Sequence, residues 1–112
     1  MGPSDTMKRE FRKAQRYAVQ IPCTLGTSDG KCHGTILNLS AHGCSLTAER
    51  IPSKASYLSL DIDLLNGETP VRIDLAGVRW VFEPRCGVEF IRMSSDVLRQ
   101  LSAFVLILDT TP

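Results

Sequence analysis

Along most of the chain apolar and polar side chains alternate with a period of two, the spacing of strands that bury one face. Leu58, Leu60, Ile62 and Leu64 against Ser59, Asp61 and Asp63 form the cleanest run. Val19, Ile21, Cys23 and Leu25 share one parity across residues 17–25 and define a first strand. Pro22 in its middle cannot donate to a ladder, which predicts an edge or a bulge there. Thr27-Ser28-Asp29-Gly30 carries the Asp-Gly pair of a hairpin turn. Further strands follow over residues 32–39 and 44–48, separated by a turn at 40–43. After a connection at 50–56 and the Leu58 strand, Asn66-Gly67 turns the chain back. Over residues 71–83, Val71, Ile73 and Leu75 share one parity and Val78, Trp80 and Phe82 the other, so a bulge is predicted at Ala76-Gly77. Pro84 marks a turn, and Val88 and Phe90 belong to a last strand.

The period then changes. Ser94-Ser95-Asp96 offers a hydroxyl cap and an acidic charge at a helix start, and Val97, Leu98, Leu101, Phe104, Val105 and Leu108 recur at helical spacing. Six short strands in hairpins followed by one helix predict a mainly β fold, a small six-stranded antiparallel β-barrel over residues 17–92 with a C-terminal α-helix over 94–108. Residues 1–7 lack periodicity and read as a disordered lead. Residues 8–112 form a single domain, since a chain of 112 residues supports one core.

Two stretches carry more than core building. Within residues 34–46, Leu37 and Leu39 are expected on one face of a strand, with Asn38 and Ser40 side by side on the other. Gly43 suits a positive-φ turn and lets another group approach the backbone. Upstream, Lys8, Arg9, Arg12, Lys13 and Arg16 stand against Glu10 alone, a local charge of +4 in a chain whose total is +1. This uneven distribution argues against a generally basic nucleic-acid binder and for one basic arm, residues 8–16, that seeks a compact anion. The arm has no apolar stripe, and its like charges repel, so it is expected to become ordered on meeting that anion.

Arg12-x-x-x-Arg16 followed by Asn38-x-Ser40-x-x-Gly43 resembles the two-part signature of PilZ domains, bacterial receptors for cyclic di-GMP. Gly77-Val78-Arg79-Trp80 and Cys86-Gly87-Val88-Glu89-Phe90 resemble the later strands of that family. The resemblance implies the same barrel and a cyclic di-GMP-binding receptor module whose output passes to a downstream protein partner. Its ligand has two phosphates and two guanines, which suits arginine: a guanidinium bonds bidentately to phosphate or to guanine O6 and N7 and stacks on a purine. Arg9, Arg12 and Arg16 are thus expected contacts. Asn38 and Ser40 would bond a guanine edge or a phosphate from the barrel, and Gly43 would leave room for the ring. Trp80 would serve either as a stacking wall or as core.

The remaining composition narrows the choice. Apolar content of 43% and charged content of 22% describe an ordinary globular chain. No apolar run approaches the length of a membrane span, and no secretory pattern precedes the barrel, so the expected location is cytoplasmic, without membrane insertion. Cys23, Cys32, Cys44 and Cys86 form no CxxC pair and read as small buried hydrophobes in strands or near turns, not as a zinc site. Ser40 and His42 lack an acidic orienter for hydrolysis, and Asp61 and Asp63 read as a solvated strand face, so no catalytic residues and no cofactor are expected. Two other readings stand beside the receptor: a PilZ-like protein-interaction module that does not bind nucleotide, and a binder of single-stranded nucleic acid. The few aromatic residues disfavour the latter.

Overall fold

The computed structural model describes residues 17–110. The basic arm, with Arg9, Arg12 and Arg16, lies outside the described residues. Six strands, β1 (Tyr17–Thr27), β2 (Gly30–Leu39), β3 (Gly43–Ala48), β4 (Tyr57–Ile62), β5 (Val71–Phe82) and β6 (Arg85–Arg92), precede one helix, α1 (Ser95–Thr110). The strands close into an antiparallel barrel in the order β1-β2-β3-β6-β5-β4. The expected mainly β barrel with a C-terminal helix is the observed fold.

The alternation explains the core. Ile21, Cys23 and Leu25 of β1 and Leu58, Leu60 and Ile62 of β4 are all buried, with Leu64 just beyond. Pro22 sits beside the last β1–β4 pair, Cys23↔Ile62, and next to a register shift between Ala18 and Ile21. Its missing N–H therefore falls where the ladder is already irregular. The β1–β2 hairpin turns at Gly30, whose φ of 110° only glycine adopts readily, and Thr27 Oγ1 accepts the Asp29 N–H at 3.1 Å.

Two register shifts depart from the alternation read in the sequence. One lies between Ile36 and Asn38 of β2. It puts Ile36 and Leu39 in the core and leaves Leu37 half-buried on the outer wall beside Asn38, so the expected pairing of Leu37 with Leu39 is corrected. In β5 the bulge expected at Ala76-Gly77 is present between Leu75 and Ala76, and a second follows between Val78 and Trp80. Val78 is buried, whereas Trp80 is 40% and Phe82 81% exposed, so the shared core parity of these three ends at Val78.

Ser94 Oγ caps α1 by accepting the Val97 N–H at 3.1 Å. Leu101 is buried, and Val97, Phe104 and Val105 pack partly against the barrel core, with the helix resting on β5 and β1. Leu98 points outward. Among the described residues, no helix is long and apolar enough to cross a membrane.

Candidate functional site

The polar turn after β2 is held by one hydroxyl. Ser40 Oγ accepts the N–H groups of His42 and Gly43 at 3.1 and 3.2 Å and donates to the Gly43 carbonyl at 3.3 Å, which also accepts the Ser40 N–H at 2.9 Å. The Phe90 N–H donates to the His42 carbonyl at 2.8 Å and ties the turn to β6. Ser40 is thus 2% exposed, whereas the alternation placed it beside Asn38 on an open outer face. The reason is local: a serine that satisfies two adjacent backbone donors must fold inward over its own turn. Gly43 differs as well. It does not take a positive φ; its side-chain position faces β6, where a Cβ would lie 2.5 Å from the Val88 carbonyl oxygen. The absent side chain therefore serves the close approach of β3 and β6.

Asn38 is half-buried, and its Oδ1 is fully buried without a hydrogen-bond partner among the described residues. Its surroundings follow from register. Asn38 stands opposite Ala18 on β1 and Ser45 on β3; Ser45 stands opposite Gly87 on β6; Gly87 stands opposite Trp80 on β5. Directly opposed residues point to the same side of a sheet. The adjoining pairs Leu39↔Cys44 and Val78↔Val88 occupy the core, so this row faces outward. Asn38 and Trp80 are three strand steps apart, roughly 14 Å. Between them the indole of Trp80 lies across Gly87, where a Cβ would overlap the indole ring. Beside it Arg79 Nε donates to Glu89 Oε1 at 2.6 Å.

The first described residues stand beside the same row. Tyr17 pairs with Leu39 and Ala18 with Asn38. The start of β1, to which the arm is joined in the sequence, therefore stands next to the Asn38–Ser40 segment. Of the residues singled out in the sequence, Asn38, Ser40, Gly43 and Trp80 are gathered on or beside one outer wall. Arg9, Arg12 and Arg16 lie outside the described residues. Two further residues of the row, Ser45 and Gly87, were not singled out as site residues in the sequence. A glycine inside a strand marks a close approach, and that signal was available for Gly87.

Other chemistry lies elsewhere. Burial, followed by the neighbouring Cys32 and Cys86, pushes the Cys23 thiol up to about 12, and burial pushes that of Cys86 up to about 11. Both remain neutral at physiological pH, poor nucleophiles and poor metal ligands. Among the described residues no group of three His, Cys, Asp or Glu could hold a metal ion. Asp61 pairs with Arg72 at 3.2 Å, and Asp63 Oδ1 accepts the Leu65 N–H at 2.9 Å, so each carboxylate serves a local structural contact. A cleft of about 840 Å³ between α1 and the 63–70 connection includes none of the singled-out residues in its lining.

Comparison with known proteins places this architecture. The chain matches the PilZ domain family over residues 10–106 and belongs to that family. A search of curated proteins finds no match. Among solved structures it is similar to the Bacillus subtilis inhibitor of motility MotI/DgrA, with a TM-score of 0.73 and 17% identity over 90% of this chain and 53% of that one. It is also similar to YcgR of Escherichia coli in complex with c-di-GMP, with a TM-score of 0.73 and 18% identity over 88% of this chain and 46% of that one. The separate PilZ domain of YcgR with c-di-GMP gives a TM-score of 0.73 and 16% identity over 88% of this chain and 92% of that one. The chain thus spans about half the length of MotI/DgrA and of the longer YcgR chain.

Proposed function

We propose that this chain is a receptor module for cyclic di-GMP, in which the arginines of the arm and the outer wall around Asn38 close on the ligand from two sides. The observation that carries this reading is the register: it sets Tyr17 and Ala18, the first described residues, beside Leu39 and Asn38 and aligns Asn38 with Trp80 on one outward row. The likeness to YcgR structures that contain c-di-GMP supports it. Arg12 and Arg16, with Arg9 as a third, take phosphate oxygens or the guanine O6 and N7 edge. Asn38 presents an unused acceptor to a base, Ser40 holds the turn that positions it, Gly43 keeps β3 tight against β6, and Trp80 offers its ring for stacking. Binding brings the arm onto the barrel, and a downstream protein partner reads the changed surface. The module performs recognition without catalysis.

Calorimetric titration tests the reading. Cyclic di-GMP should bind the wild type, while GTP and an oligonucleotide should not compete. Arg12→Ala and Arg16→Ala should each weaken binding at least tenfold, because a hydrogen bond to a charged group contributes about 1.5–3 kcal/mol. Absence of binding to the wild type would favour the nucleotide-independent interaction module, and unaltered affinity in both variants would remove the arm from the site.

A further inference from the structure

Two polar groups on the outward row are buried and unanswered, and they are neighbours. Asn38 and Ser45 oppose one another across β2 and β3, which puts their Cβ atoms about 5 Å apart. Ser45 is 3% exposed although its position faces outward. Its Oγ and Asn38 Oδ1 are both buried without a hydrogen-bond partner among the described residues. Folded proteins pair nearly all such atoms, because a buried oxygen without a partner is destabilising. A serine hydroxyl could turn to donate to a neighbouring amide oxygen and satisfy both. Here both oxygens stay unpaired among the described residues, on the wall that ends at Trp80.

We propose that Ser45 is a specificity-determining residue of the nucleotide site, its Oγ accepting a hydrogen bond from the exocyclic amine of a guanine whose ring N–H is accepted by Asn38 Oδ1. The proposal rests on the cyclic di-GMP reading and adds to it a residue outside the two-part signature. Guanine carries two adjacent donors on its Watson–Crick edge, the ring N1–H and the exocyclic 2-amino group. Adenine carries a ring acceptor and a C–H at the same places. Two neighbouring acceptor oxygens match the first pattern in full, whereas the second offers them no N–H donor at those places. Reach assigns them: the short serine side chain, recessed on β3, is met by the substituent that protrudes from the base, while the longer asparagine amide reaches the ring itself.

The experiment is calorimetric titration of the wild type and Ser45→Ala with cyclic di-GMP and with cyclic di-IMP, which lacks only the exocyclic amines, alongside thermal melts of both ligand-free proteins. Ser45→Ala should bind cyclic di-GMP about three- to tenfold more weakly than the wild type, the range for one neutral hydrogen bond. It should bind cyclic di-IMP as tightly as the wild type does, because the amine that Ser45 recognises is missing. The ligand-free melting temperature should hold or rise, since no internal hydrogen bond is lost. If the wild type binds cyclic di-GMP and Ser45→Ala binds it equally well, the proposal is overturned while the receptor reading stands. Equal weakening for both ligands overturns it too, as does a lower melting temperature with guanine discrimination intact, which would make the hydroxyl structural. A wild type that binds no cyclic di-GMP removes the receptor reading itself and this proposal with it.

Discussion

Ser40 and Asn38 lie two positions apart and use their side chains in opposite ways. The Ser40 hydroxyl makes three contacts inside its own turn, whereas Asn38 Oδ1 makes none. Substitution by alanine should separate the two roles. Ser40→Ala leaves one buried and one partly buried backbone donor without their acceptor and should lower the unfolding free energy by about 1–2 kcal/mol. Asn38→Ala removes an oxygen that supports nothing in the ligand-free protein, so stability should stay within about 0.5 kcal/mol while cyclic di-GMP affinity falls. Denaturant unfolding and calorimetry on the two variants measure both quantities. The reverse ranking, an unstable Asn38→Ala and a neutral Ser40→Ala, would show that Asn38 is the structural residue. Alternation could not reveal this difference, since it assigns faces and is blind to a hydroxyl that curls back over its own turn.

Among the elements, β4 was readable in full, and its reason is simple. Leu58, Leu60, Ile62 and Leu64 are interrupted only by polar residues, so one register alone buries them all. In β2 and β5 apolar residues fall on both parities, and either register buries something. The Val78, Trp80, Phe82 series keeps perfect alternation through a point where the ladder shifts by one. The shift turns Trp80 outward onto Gly87, an aromatic over a strand glycine, which covers a backbone that would otherwise be bare. Gly87→Ala places a methyl group where the indole lies, and the ring must swing away. The single tryptophan makes this visible: its fluorescence should shift to the red as the ring becomes solvated, and cyclic di-GMP affinity should fall with the loss of the stacking wall. Unchanged emission with unchanged affinity would mean that the ring has no fixed place over Gly87.

For the molecule as a whole, the hairpins are local and legible, but the barrel is closed by β3–β6 and β1–β4, pairs that no sequence pattern specifies. The row that carries Asn38 and Trp80 crosses β3–β6, so Gly87 and Trp80 could not be placed beside Asn38 and Ser45 from the sequence. The β1–β2 hairpin, in turn, sets the start of β1 beside Asn38. Because Tyr17 and Ala18 pair with Leu39 and Asn38, the row of the proposed site lies beside the start of β1, to which the arm is joined in the sequence. Arg9, Arg12, Lys13 and Arg16 repel one another, and a ligand with two phosphates offsets that repulsion while drawing the arm to the wall. Binding should therefore restrict the arm, at some cost in affinity for the ordering, and present a new surface along the barrel. Trypsin reads this directly, since it cleaves after Arg9, Arg12, Lys13 and Arg16 when the backbone is accessible. Lys54, exposed in the connection between β3 and β4, supplies the internal reference. Saturating cyclic di-GMP should slow the arm cleavages strongly and leave cleavage at Lys54 unchanged. Equal arm cleavage with and without ligand, under conditions where calorimetry shows full occupancy, would separate the two halves of the reading: the nucleotide would be bound, and the signal would leave the barrel by another route.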